Sequence, residues 1–74
     1  MKNTVYVKMI GLYGLPNQSA YFRKQGSGCF DFVNHKDYAS ELTIPEATRI
    51  MSYADWYCKG YNAEKMIIEW VEKK

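Results

Sequence analysis

A chain of 74 residues with 47% hydrophobic residues, 16% aromatic residues and a net charge of +2 has the make-up of one small folded domain, residues 1–74, and not of a disordered segment. No apolar run approaches the roughly 18 residues of a membrane-spanning helix. The pI of 8.5 falls short of the value of about 9 that marks a dedicated nucleic-acid binder. Residues 1–30 nevertheless hold Lys2, Lys8, Arg23 and Lys24 with no acid, whereas residues 31–74 hold six basic and eight acidic residues.

The opening M-K-N-T-V-Y-V-K-M-I-G is interrupted by Lys8 and lacks the apolar core and cleavage site of a signal peptide, so a cytoplasmic location is expected. Thr4 to Ile10 alternates, with Val5, Val7 and Met9 on one face and Tyr6, Lys8 and Ile10 on the other, which predicts a strand with one buried face. Gly11 to Ser19 carries two glycines, a proline and an asparagine and reads as a loop. Its Leu12, Tyr13 and Leu15 have two readings: apolar residues folded back over the core, or an exposed binding tip. Ala20 to Gln25 is a second strand, with Tyr21 and Arg23 on one face and Phe22 on the other. Gly26-Ser27-Gly28 is a turn, and Cys29 to Val33 a third strand with Phe30 and Phe32 on one face.

Leu42 to Gly60 is the clearest helical stretch. Thr43 and Glu46 form a T-x-x-E capping box, Pro45 suits the first turn, and Gly60 is placed to close the helix in the left-handed region. Ala47, Ile50, Met51, Ala54, Tyr57 and Cys58 make one apolar stripe at helical period. At about 100° per residue, Trp56 falls opposite the centre of that stripe, with Arg49 beside it and Tyr53 toward the stripe edge. Ala63 to Val71 alternates again, Met66, Ile68 and Trp70 facing one way and Lys65, Ile67, Glu69 and Val71 the other.

These elements predict an α+β fold: a mostly antiparallel four-stranded sheet of type β-β-β-α-β, in the order 4-1-2-3, with one helix packed on one face. The last strand is expected to run parallel to the first. The expected core is Val5, Val7, Met9, Phe22, Phe30, Phe32, the helix stripe, Met66, Ile68 and Trp70.

The order of features resembles that of small β-β-β-α-β proteins of bacteriophages and other mobile elements. The resemblance rests on the Gly26–Gly28 turn, the aromatic pair Phe30 and Phe32, Ala39 before the helix, Thr43, Glu46 and Ala47 at its start, and the turn at Gly60 and Tyr61. It covers roughly residues 20–71, and the loop Gly11 to Ser19 and the aromatics Tyr53 and Trp56 depart from it. Proteins of that group include anti-CRISPR-type inhibitors of host defence. The resemblance therefore implies an inhibitor whose partner is a host protein or ribonucleoprotein complex.

No catalytic, metal or cofactor motif stands out. His35 is a lone histidine beside Lys36 and Asp37, the carboxylates are scattered, and Cys29 and Cys58 have no metal-ligand spacing; an enzyme is not expected, nor any cofactor. Cys58 reads as a small core residue, and a Cys29–Cys58 disulfide is the less favoured alternative in a reducing compartment. The leading expectation is a small protein-binding inhibitor acting by steric block through Arg49, Tyr53, Trp56, Leu12, Tyr13 and Leu15. The edge of the third strand is a further route to a partner. The alternative is a nucleic-acid-binding module that uses Tyr6, Lys8, Tyr21 and Arg23 on the open sheet face. A third reading makes that face, with Ile10, Ile67 and Val71, a homodimer interface.

Overall fold

A computed structural model describes residues 4–26 and 28–71. In it the chain folds as a five-stranded antiparallel sheet with two short helices on one face. The strands are β1 (Thr4–Ile10), β2 (Ser19–Lys24), β3 (Phe30–Val33), β4 (Leu42–Thr43) and β5 (Lys65–Trp70); the helices are α1 (Ile44–Met51) and α2 (Ala54–Tyr61). Single 3-10 turns lie at Leu12–Gly14 and Lys36–Tyr38.

The fold class and the strand order are those expected, with β5 in the place of the fourth strand: β5-β1-β2-β3. The direction of β5 is not. It runs antiparallel to β1, pairing Val5 with Trp70 through to Ile10 with Lys65. The cause is β4. Ser40 closes on β2, its amide donating to the Phe22 carbonyl and its Oγ accepting from the Lys24 amide at 2.8 Å. Leu42 and Thr43 then pair antiparallel with Val5 and Thr4. The segment thus fills the fork where β1 and β2 diverge beyond the Lys8–Tyr21 pair. The helices carry the chain from β4 across β1, and such a crossover returns the chain in its starting direction, so β5 is parallel to β4 and opposed to β1.

The single helix expected over Leu42–Gly60 is two. Leu42 and Thr43 belong to β4, and α1 starts at Ile44 behind the capping box: the Thr43 Oγ1 accepts from the Glu46 amide at 3.3 Å, and the Glu46 Oε1 accepts from the Thr43 amide at 3.0 Å. α1 ends because the Ser52 hydroxyl donates to the Arg49 carbonyl at 2.6 Å, a local bond that competes with the helical ladder. Tyr53 leaves the helical region, at φ −107° and ψ 20°. Gly60 lies inside α2. The left-handed cap is Asn62, at φ +50°, a conformation that asparagine tolerates better than most residues.

Val5, Val7, Met9, Phe22, Leu42, Ala47 and Met66 form the buried centre, joined by Ala20 and by Leu12 from the loop. The stripe residues Ile50, Met51, Ala54, Tyr57 and Cys58 pack against it, half-buried. Three expected core residues are corrected. Phe30 sits at the sheet margin, exposed, and Ile68 and Trp70 are 41% and 61% exposed. They share the helix face with Val7 and Val5 but lie on the outer strand, beyond the cover of the helices. Leu42 takes the place next to Val5 instead. No helix among the described residues is long and apolar enough to cross a membrane.

Candidate functional site

The kink at Ser52–Tyr53 sets the direction of α2, and through it the position of Tyr57. The Tyr57 ring lies 5.3 Å from Phe30, 5.8 Å from Phe32 and 6.4 Å from Phe22, edge-on to each. Phe22 and Phe30 stack at 5.4 Å, and Tyr61 closes on Phe32 at 5.0 Å. These rings come together because Phe22, Phe32 and Phe30 share one face of β2 and β3, while Tyr57 and Tyr61 are one helical turn apart on α2. Edge-to-face contacts of this kind add to the area they bury.

Trp56 stands on this cluster. Its ring meets Tyr57 edge-on at 5.1 Å, yet the residue is 66% exposed. Phe30, Trp56, Tyr57, Lys59, Gly60 and Tyr61 frame one surface depression. Through Phe30 and Tyr57 it continues into a second, lined also by Phe22, Lys24, Gly26, Gly28 and Cys29. Through Phe22 and Lys24 that one adjoins a third, which reaches Leu42, Pro45, Glu46, Arg49 and Ile50. The result is a continuous, shallow aromatic band along the seam between the helices and the β2–β3 hairpin.

The band has a basic rim. Lys24 is held to Glu46 at 2.7 Å. That bond and the Thr43 backbone hold the Glu46 carboxyl down to about 2. Arg49 and Lys59 make no ion pair among the described residues. Burial pushes the Tyr57 hydroxyl and the Cys58 thiol above their ordinary values, the Cys58 shift aided by the Asp55 charge. Cys29 and Cys58 are both free thiols.

Of the expected partner-binding residues, Arg49 and Trp56 border opposite ends of the band. Tyr53 is exposed but lines none of it. The loop divides between its two readings: Leu12 is buried in the core, whereas Tyr13 and Leu15 point to solvent. Sequence reasoning missed Phe30, Tyr57 and Tyr61 as surface formers. The glycine turn before Phe30 was the available signal, because a strand opening beside Gly26 and Gly28 has little above it to bury an aromatic ring.

The open sheet face brings Tyr6, Lys8, Tyr21 and Arg23 together as the alternation requires, and pairs them. Tyr6 and Tyr21 meet edge-on at 5.8 Å, and the Lys8 ammonium lies 5.5 Å from the Tyr21 ring and 3.9 Å from Glu69. The Arg23 guanidinium grips Asp31 with two bonds, of 2.9 and 2.6 Å, which raise the Arg23 value and lower that of Asp31. Tyr21 is only 8% exposed although no helix covers it. His35 caps a 3-10 turn, its Nδ1 accepting from the Asp37 amide at 3.2 Å.

Among the described residues no three His, Cys, Asp or Glu side chains are grouped to hold a metal ion. Comparison with protein-family models, with curated proteins and with solved structures finds no match for this chain.

Proposed function

We propose that this chain is a non-enzymatic binding protein that acts by steric block, and that the aromatic band topped by Trp56 is its contact surface. On the resemblance of its feature order to small phage and mobile-element proteins, its partner is a host protein or ribonucleoprotein complex of a defence system, met in the cytoplasm.

The observation that carries this reading is the mounting of Trp56. A two-thirds-exposed indole set edge-on against Tyr57, a ring itself packed among Phe22, Phe30 and Phe32, is held on one side before binding, and such preorganisation raises affinity. Trp, Tyr and Arg dominate binding hot spots, and here Trp56 and Arg49 border an apolar seam at whose rim Arg49 and Lys59 make no ion pair among the described residues. The seam is broad and open, shaped for a protein surface more than for an enclosed small substrate. The alternative, nucleic-acid binding on the open face, is weighed down by the pairing within that face. Tyr21 has no free ring face to stack on a base, and Arg23 is already bidentate with Asp31.

Capture from a host lysate tests the surface. Trp56→Ala is expected to weaken recovery of the partner by about 30-fold, the loss of a hot spot of about 2 kcal/mol. Tyr38→Ala, which removes an equally exposed ring that lines none of the band, is expected to leave it unchanged. Equal recovery by wild type and Trp56→Ala overturns the proposal.

A further inference from the structure

We infer that the chain self-associates through the free edge of β5, two copies joining antiparallel about a twofold axis at Ile67. Among the described residues β5 pairs with β1 alone, so its other side is an edge. The Val71 amide donates to the Thr4 carbonyl at 3.2 Å. That bond sets the phase: Lys65, Ile67 and Glu69 aim their backbone groups at β1, and Met66, Ile68 and Trp70 aim theirs outward. The edge is six residues long and contains no Pro, so every outward amide can donate, and its charges, Lys65 and Glu69, discourage pairing except in a register that matches them.

Symmetry restricts the register. Outward-pointing residues must meet outward-pointing residues, so a twofold axis between antiparallel copies passes through a residue. An axis at Lys65 or Glu69 sets like charges face to face, and one at Met66, Ile68 or Trp70 sets no charge against its opposite. The axis at Ile67 alone places Lys65 against Glu69 of the second copy, twice over. In that register Met66 and Ile68 exchange backbone hydrogen bonds with their counterparts, and Ile67 faces Ile67. The exposed Ile68 lies over Met66 of the second copy, and Trp70 lies diagonally beside it. The two exposed apolar side chains of β5, Ile68 and Trp70, are the ones this pairing covers. Glu69 keeps capacity for the new bond, because its contact with Lys8 is long, at 3.9 Å.

Sedimentation of the full chain decides it. Wild type is expected to sediment at twice the chain mass of 8.7 kDa as concentration rises. Lys65→Glu and Glu69→Lys, each alone, are expected to raise the dimer Kd about tenfold by placing like charges across both symmetric positions. An equimolar mixture of the two variants restores opposite charges at both positions and should recover a heterodimer of wild-type affinity. Ile68→Pro removes an outward amide that has no partner among the described residues, so it should give a folded monomer. A wild type that stays monomeric at about 1 mM, where even a millimolar complex is populated, overturns the inference. So does a mixture that associates no better than its components, or an Ile68→Pro chain that still dimerises.

Discussion

At the scale of single residues, Glu46 ties the sequence-local and the long-range structure together. One carboxylate oxygen closes the capping box with Thr43, while the other accepts from Lys24 on β2. The first contact was legible as T-x-x-E. The second, across 22 positions, was not, because nothing local announces a partner on another strand. Lys24 bonding comes first among the causes that hold the carboxyl at about 2, against an ordinary 4.5, and the Thr43 backbone bond second. A carboxyl whose folded value is depressed stabilises the fold above its unfolded value and loses that contribution as pH falls. Glu46→Gln, which keeps an acceptor for the cap but loses the charge, should therefore destabilise the protein fully above about pH 5. The gap to wild type should shrink from about pH 4.5 and close near pH 2. Urea midpoints measured across that range check it, and a gap that stays constant with pH would show that the Lys24 bond contributes nothing. Trp56 was equally legible, since helical phase alone put it opposite the apolar stripe. Tyr57 was read only as core, because a stripe position does not say that its strand-side neighbours lie at the sheet margin.

At the scale of elements, the strands were readable and the breaks between them were not. Alternation located β1 and β5 within a residue or two; β1 buries one whole face, whereas β5 buries only Met66 and keeps the apolar alternation along an outer strand. Two residues of β4 carry no periodicity at all, and without β4 the direction of β5 comes out reversed. The helix break at Ser52 was hidden for a different reason: the apolar stripe runs on at helical spacing through the kink. The first loop shows where an element depends on one position. Gly11 has φ +70°, and a Cβ there would stand 2.7 Å from the Glu64 Cβ and 3.3 Å from its amide. The Glu64 amide also donates to the Ile10 carbonyl at 2.9 Å, so this contact braces the β1–β2 loop against the turn into β5. Gly11→Ala meets both the left-handed penalty of about 1–2 kcal/mol and a clash with the Glu64 Cβ, which is fixed to its backbone and cannot swing away. It is expected to cost about 3 kcal/mol in chemical denaturation. Gly14→Ala, at φ +76° with open space around it, should cost about 1 kcal/mol. Equal losses would show that the turn conformation alone matters and that the approach to Glu64 relaxes freely.

At the scale of the whole molecule, the fork between β1 and β2 is the structural commitment on which the binding surface depends. A sheet of this size would normally pair its first two strands along their length. Here they separate after Lys8–Tyr21, and the opening is closed by Ser40, Leu42 and Thr43, with Leu42 fully buried beside Val5 and Val7. α1 is launched from this plug, and α2 with Tyr57 and Trp56 follows from α1. The aromatic band is therefore positioned by a two-residue strand in the middle of the chain. Total stability for a chain of this length is about 4–11 kcal/mol, and a buried Leu→Ala change removes about 2–5 kcal/mol. Leu42→Ala should accordingly consume a large part of the stability. Before global unfolding, it should loosen the helix pair more than the β1–β5 ladder, which pairs without help from β4. Native-state hydrogen exchange separates the two. Amide protection in α1 and α2 is expected to fall well below that of Lys8 and Ile67, which face each other in the β1–β5 ladder, where in the wild type the helices and β1 open together. Uniform loss of protection across helices and ladder would mean that Leu42 supports the core as a whole and that β4 has no special part in placing the helices.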